Sequence, residues 1–123
     1  MSAVRSYRDL IVWQKSMDLA KEIYAASRNY PKDETYGLVS QMRRAVVSVP
    51  ANIAEGQGRQ SRGEFLQFLG IAKGSLSELE TLLALSQTLG YLTTCDSDRL
   101  SKHCDEIGRL LTNLRKALLV RKD

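Results

Sequence analysis

The chain has 123 residues, which favours one domain, and it carries a net charge of +4 with 8 glycines and 2 prolines. No apolar run reaches the about 18 residues of a membrane-spanning helix, and the N-terminal stretch lacks the apolar segment of a signal peptide. Helix-forming residues dominate, while Val and Ile do not alternate with polar residues. We therefore predict one cytoplasmic all-α domain over residues 1–123, without membrane association and with Cys95 and Cys104 reduced.

The positive charge is concentrated in the first half of the chain. Residues 1–62 carry ten Lys/Arg against six Asp/Glu, whereas residues 63–123 carry eight of each. A basic excess permits binding to a nucleic acid or an acidic partner, although a charge of +4 is also that of an ordinary protein surface.

The first helix is predicted from about Arg8 to Tyr30, where Pro31 ends it. Its apolar face is predicted to consist of Leu10, Trp13, Met17, Ala20 and Tyr24. A second helix is predicted to begin near Lys32-Asp33-Glu34, whose carboxylates suit a helix N-terminus. Its apolar face is predicted to consist of Leu38, Met42, Ala45, Val49 and Ile53.

The second helix is predicted to continue through Pro50 as one kinked helix, because its apolar face is unbroken there. We expect Gly56 to end it in a left-handed conformation. Ser61 and Glu64 match a capping box that begins a third helix of roughly 28 residues, closed by Gly90. The apolar face of this helix is predicted to be Phe65, Leu69, Ala72, Leu76, Leu79 and Leu83.

A fourth helix is predicted to begin near Asp96. Its apolar face is predicted to be Leu100, Cys104, Ile107, Leu111, Leu114 and Leu118. Four such faces joined by short loops predict an antiparallel up-down-up-down bundle. Helices three and four carry additional apolar residues, namely Phe68, Leu82, Leu85, Leu89, Leu110, Ala117 and Val120. These predict a homo-oligomer with helix three or four at the interface, unless the faces are simply wide.

No motif for catalysis, nucleotide binding or metal binding is complete. Gly56-Gln57-Gly58 lacks the preceding strand and the following lysine of a phosphate-binding loop. Cys95, His103 and Cys104 lack the fourth ligand of a zinc site, and Cys104 lies on a core face. We therefore predict no catalytic residues, no metal and no cofactor.

Four arginines form the predicted nucleic-acid surface. Arg43 and Arg44 lie in the middle of the second helix, away from its apolar face. Arg59 and Arg62 flank the start of the third helix, where free N–H groups and the helix dipole favour an anion. The alternative is that these arginines pair with acids or are simply solvated.

The stretch Ser48-Val49-Pro50-Ala51-Asn52-Ile53-Ala54-Glu55-Gly56, followed by Arg59, resembles the signature of the four-helix-bundle proteins encoded by intervening sequences of 23S ribosomal RNA genes. Residues 8–14 are similar to the start of that family, and residues 64–69 and 74–81 are similar to its third helix. The resemblance extends over roughly residues 7–120.

This resemblance implies an antiparallel four-helix bundle that assembles as a homopentamer and has no known enzymatic activity. A related fold, the accessory variability determinant of diversity-generating retroelements, binds nucleic acid and a reverse transcriptase. The signature residues Ser48, Pro50, Asn52, Glu55 and Gly56 are interpreted as structural, so replacing Pro50 or Gly56 is expected to lower the melting temperature and to disturb assembly.

The functional prediction is a non-enzymatic homo-oligomer that binds RNA or DNA electrostatically. Arg43, Arg44, Arg59 and Arg62 are predicted to contact phosphates rather than to read bases. The alternative is a scaffold for protein–protein interaction, or an accessory subunit, that does not bind nucleic acid directly.

Overall fold

The structure is a computed structural model that describes residues 6–120, so the domain predicted over residues 1–123 extends beyond it at both ends. Four helices make up most of this range: α1 Ile11–Ser27, α2 Leu38–Gln57, α3 Arg62–Thr88 and α4 Thr94–Leu119. Short 3₁₀ turns at Tyr7–Asp9 and Lys32–Glu34 precede α1 and α2. Residues 6–120 contain no strand, which confirms the predicted all-α class.

The four helices surround one apolar core. Within residues 6–120, α1 contacts α2 and α4, α3 contacts α2 and α4, and the most extensive contact joins α2 to α3. Fully buried side chains come from all four helices and include Leu19, Ile23, Met42, Ile53, Leu69, Leu79, Leu83, Leu100, Ile107 and Leu111. None of the helices in this part of the chain has the length and apolar content needed to cross a bilayer.

The first helix is shorter than predicted at both ends. Ser6 and Asp9 cap a separate 3₁₀ turn, in which the Ser6 N–H donates to Asp9 Oδ2 at 3.3 Å. Leu10 then adopts an extended backbone, so α1 begins at Ile11 instead of Arg8. At the other end, α1 stops at Ser27 rather than Tyr30, which packs in the core beyond the helix.

The predicted core face of α1 was only partly correct, because Leu10, Trp13 and Ala20 are half-buried against the core whereas the other two residues are exposed. Met17 and Tyr24 are 45% and 38% exposed. The buried face of α1 consists of Val12, Ser16, Leu19, Ile23 and Ser27. Two serines lie on this face because their hydroxyls find acceptors within the helix, Ser16 donating to the Val12 carbonyl at 2.7 Å. Because these two serines are polar, the spacing of apolar residues did not fully predict the face of α1 that is buried.

The second helix begins later than predicted but runs through Pro50. Lys32–Glu34 forms its own 3₁₀ turn, and α2 starts at Leu38 after Gly37. Glu34 nevertheless caps α2, since its carboxylate accepts from the Leu38 N–H at 3.2 Å. The predicted apolar face of α2 is buried throughout, and Pro50 is buried with it.

The third and fourth helices agree with the predicted patterns. Ser61 is the N-cap of α3, and its hydroxyl accepts from the Glu64 N–H at 3.1 Å. Gly90 follows α3 with a φ of 81°, the left-handed region that glycine adopts readily. The predicted faces are buried, except that Phe65 and Leu114 are half-buried. Of the additional apolar residues, Leu82 is buried in the core, whereas Leu85, Leu89 and Val120 are exposed.

Ion pairs join α1 to α4 on the side of the bundle away from the α2–α3 contact. Lys15 Nζ lies 2.9 Å from Glu106 Oε2, and Glu22 pairs with Arg99. The second Glu22 oxygen lies 3.0 Å from His103 Nδ1. His103 therefore has a carboxylate partner on the neighbouring helix.

Candidate nucleic-acid interface

Ser48, a signature residue on α2, links this helix to α3. Ser48 Oγ and Ser75 Oγ share a hydrogen bond of 2.8 Å between the helices. Asn52 Nδ2 donates to the Ser48 carbonyl at 2.8 Å and to Ser48 Oγ at 2.9 Å. All three side chains are half-buried, and their polar atoms satisfy one another. Ser48 therefore contacts both Ser75 of α3 and Asn52 of its own helix.

Gly56 is not the left-handed cap predicted from the sequence. It lies inside α2, which continues to Gln57 and is capped by Gly58 with a right-handed φ of −77°. A Cβ atom at position 56 would lie 2.7 Å from Phe68 Cβ and 3.0 Å from Phe65 Cδ1. Gly56 is therefore needed because α3 approaches the α2 backbone closely at this point.

Arg59 is held by acids at the corner between α2 and α3. Its guanidinium lies 2.6 Å from Glu55 Oε2 and 3.8 Å from Glu64 Oε2, over the Phe68 ring at 5.0 Å. Arg62 is half-buried in the first turn of α3. The Glu64 carboxylate also lies at the N-terminus of α3, where it accepts a hydrogen bond from the Ser61 hydroxyl. The predicted anion site at this corner thus faces two carboxylates.

Arg43 and Arg44 have different environments although they are adjacent. The Arg43 guanidinium lies 4.5 Å from the centre of the Tyr24 ring. Its Nε donates to Ser27 Oγ at 3.0 Å, and it also donates to the Tyr24 carbonyl at 3.2 Å. Arg43 therefore binds α2 to the C-terminal end of α1. The Arg44 side chain, in contrast, is exposed.

The four predicted arginines form two separate clusters. Arg43 and Arg44 lie in the first half of α2, and Arg59 and Arg62 lie beyond its end. Gln57, at the end of α2, lies thirteen positions after Arg44, which at a rise of about 1.5 Å per residue corresponds to about 20 Å. A single patch containing all four, as the sequence suggested, is not formed within one chain.

A groove between α1 and α2 contains the first of these clusters. It has a volume of about 610 Å³ and is lined by Tyr24, Thr35, Tyr36, Val39, Ser40, Arg43, Arg44, Val47 and Ser48. Tyr36, in the turn before α2, is 96% exposed, and Val47 is 44% exposed. Sequence reasoning missed Tyr36, although an aromatic residue outside every apolar face and close to two arginines is a usable signal.

A second groove, between α3 and α4, carries carboxylates and a thiol. It has a volume of about 470 Å³, and Glu80, Cys104 and Asp105 are among its lining residues. Burial, and to a smaller extent Asp105, raises the pKa of Glu80. Burial also raises the pKa of the Cys104 thiol to about 12, with contributions from nearby carboxylates, so the thiol is neutral and not activated as a nucleophile.

Cys95, His103 and Cys104 do not come together in the structure. Cys95 is exposed at the start of α4, Cys104 is buried in the core, and His103 faces Glu22. In the part of the chain that the structure describes, no three His, Cys, Asp or Glu side chains are placed to hold a metal ion.

Replacing Arg43 is expected to affect stability much more than replacing Arg44. Arg43→Ala removes the hydrogen bonds to α1 and the contact with Tyr24, so we expect the free energy of unfolding to fall by about 1–2 kcal/mol. Arg44→Ala changes an exposed side chain and should stay within about 0.5 kcal/mol of the wild type. Urea denaturation of both variants measures the difference, and equal stabilities would contradict the assigned role of Arg43.

These features define the class as an all-α, four-helix protein. Residues 8–113 match the family described as 23S rRNA-intervening sequence protein, and the chain belongs to that family. Its structure is similar to the 1.70 Å crystal structure of a protein with unknown function from the S23 ribosomal protein family of Bacteroides thetaiotaomicron VPI-5482. The two have a TM-score of 0.79 and 27% sequence identity, over 86% of this chain and 96% of that chain. Comparison with curated proteins finds no match.

Proposed function

We propose that the protein is a non-enzymatic, cytoplasmic homo-oligomer that binds RNA or DNA electrostatically through the α1–α2 groove. The observation that carries this proposal is the exposed Arg44 beside Arg43, on the wall of a groove that also presents Tyr36. Arginine contacts phosphates through several donors at once, and an adjacent aromatic ring suits a nucleobase. Both groups lie in the half of the chain that carries the excess positive charge.

The four predicted arginines contribute unequally to this proposal. Arg44 is the principal phosphate contact, because its guanidinium is exposed. Arg43 supports the groove wall and adds positive charge while it remains bound to α1. Arg59 is largely neutralised by Glu55 and Glu64, so its contribution and that of the neighbouring Arg62 are expected to be small.

The proposal includes an antiparallel up-down-up-down bundle. The contacts between α1 and α4 support this direction, since Lys15 pairs with Glu106 whereas Glu22, later in α1, pairs with Arg99, earlier in α4. The α1–α2 connection also meets the α3–α4 connection, because the Tyr91 hydroxyl donates to Glu34 Oε2 at 3.1 Å.

The proposal also includes assembly as a homo-oligomer, with a pentamer as the expected state. Exposed apolar residues at the C-terminal ends of α3 and α4 support self-association, notably Leu85 and Leu89 at 45% and 47% exposure and Leu119 and Val120 at 65% and 77%. Copies of Arg44 would then repeat around the assembly and strengthen its field. Light scattering tests the state, for which we expect a mass five times that of the 13.8 kDa chain.

Binding of fluorescent RNA and duplex DNA across a salt series tests the proposed function. We expect Arg44→Gln to weaken binding and to flatten the dependence of log K on log salt, since each lost phosphate contact removes about 0.7–0.9 from the slope. Arg109→Gln is the matched control, because Arg109 is also exposed but lies on α4, which does not contact α2. Equal effects of the two substitutions would overturn the assignment of the surface.

The scaffold hypothesis makes the opposite prediction in the same experiment. A protein-interaction scaffold or accessory subunit would remain assembled yet ignore both nucleic acids even at low salt. That outcome would end the nucleic-acid proposal and direct attention to the exposed apolar residues of α3 and α4.

A further inference from the structure

We infer that the ligand of the α1–α2 groove is single-stranded nucleic acid, with an unpaired base stacked on Tyr36 and the adjoining phosphate bound by Arg44. This inference rests on the proposed function and specifies its ligand. Such a ligand requires an accessible aromatic face, a cation within the same groove and a path for the strand.

Tyr36 provides the accessible ring. It follows the 3₁₀ turn Lys32–Glu34 and precedes Gly37, so it stands in the connection to α2 and outside the helices. At 96% exposure its side chain contributes little to the core, and an aromatic ring left in water is available for stacking. The other tyrosine of the groove, Tyr24, is already covered by the Arg43 guanidinium at 4.5 Å.

Arg44 provides the cation. The competing anion-binding site nearby, at the N-terminus of α2, is already occupied by a carboxylate of the same chain. The N-terminus of α2, where backbone N–H groups attract anions, is capped by the Glu34 carboxylate, which accepts from Leu38 N–H. The same carboxylate accepts from the Tyr91 hydroxyl. A phosphate that approaches Tyr36 is therefore directed along the groove to Arg44 rather than to the helix end.

A third groove, between α2 and α3, extends the path across α2. Its volume is about 450 Å³, and its lining residues are Gln41, Arg44, Ala45, Ser48, Ser75 and Glu78. Arg44 and Ser48 line both grooves, so a strand held at Arg44 can continue from the Tyr36 side toward α3. Gln41 and Glu78 supply an amide and a carboxylate there, which are groups that hydrogen-bond the edges of unpaired bases.

A duplex does not fit this arrangement. Except for the terminal pairs, the bases of a duplex are covered on both faces by their neighbours and cannot stack on Tyr36. The contact with Arg44 alone would not distinguish a duplex from a single strand, because both present phosphates. The preference for single strands therefore depends on Tyr36.

The test compares a short fluorescent single strand with the blunt duplex of the same sequence. We expect Tyr36→Ala to weaken single-strand binding about tenfold without changing the salt slope, because stacking is not ionic. Tyr36→Phe keeps the ring and should bind as the wild type does. Because Tyr36 is exposed, both variants should unfold at the wild-type temperature, which verifies that the fold is intact.

The outcomes separate this inference from the proposed function. If the duplex binds as tightly as the single strand, or Tyr36→Ala binds normally while Arg44→Gln lowers the salt slope, the inference fails and the proposed function stands. If the wild type binds neither probe at low salt, both fail. Loss of binding in Tyr36→Phe as well as in Tyr36→Ala would also overturn the stacking role.

Discussion

Gly56→Ala is expected to lower the free energy of unfolding by about 1–3 kcal/mol, which is the usual cost of overpacking. The added methyl carbon would lie 2.7 Å from Phe68 Cβ and 3.3 Å from the Phe65 carbonyl oxygen. Neither atom is the far end of a flexible side chain, so α2 and α3 must move apart. Because these helices form the most extensive contact in the bundle, we also expect disturbed assembly.

Gly74→Ala is the matched control on the adjoining helix. Gly74 lies within α3, is exposed, and would have no atom within 4 Å of an added Cβ. Alanine favours the helix over glycine by up to about 1 kcal/mol, so this variant should be more stable than the wild type. Urea denaturation at one protein concentration, with light scattering on the same samples, measures both. A change of the same sign in the two variants would contradict the close approach at Gly56.

The two cysteines should differ in thiol reactivity by orders of magnitude. Cys104 is fully buried, and burial, with smaller contributions from Glu80, Asp105 and Glu22, raises the pKa of its thiol to about 12. At pH 8 about one molecule in ten thousand would then carry the reactive thiolate. Cys95 is exposed at the start of α4.

A thiol reagent should therefore modify one cysteine per chain in the native protein and two after denaturation. Cys95→Ser should abolish the rapid native reaction and leave the slow one, which then reports opening of the α3–α4 contact. Raising the pH increases the thiolate fraction of Cys104 and should accelerate its modification. Rapid modification of both thiols in the native wild type would show that the packing of α4 does not protect Cys104 from the reagent.

The spacing of apolar residues predicted most of the buried faces of α2, α3 and α4, and local signals predicted the Ser61 cap and the Gly90 turn. The serines that are buried on α3 and α4 were not predicted. On α1 the same reasoning was partly wrong, because the polar Ser16 and Ser27 lie on the buried face. Their hydroxyls are satisfied within the helix, a contact that apolar spacing does not reveal.

The candidate site was less accessible to sequence reasoning because its properties depend on partners from other helices. Arg43 resembled a free surface charge in the sequence, yet Ser27 and Tyr24 of α1 bind it. Gly56 was interpreted as a turn residue because the sequence does not show its contact with Phe68. That contact forms only when α3 packs on α2. These partners are separated along the chain and become neighbours through tertiary packing.

The most direct test of the account is a binding isotherm of the wild-type oligomer with a fluorescent single-stranded RNA at low and at physiological salt. The mass of the protein is verified by light scattering in the same samples. We predict saturable binding by the intact oligomer that weakens steeply as salt increases. An intact oligomer that does not bind the RNA even at low salt would contradict the proposed nucleic-acid function.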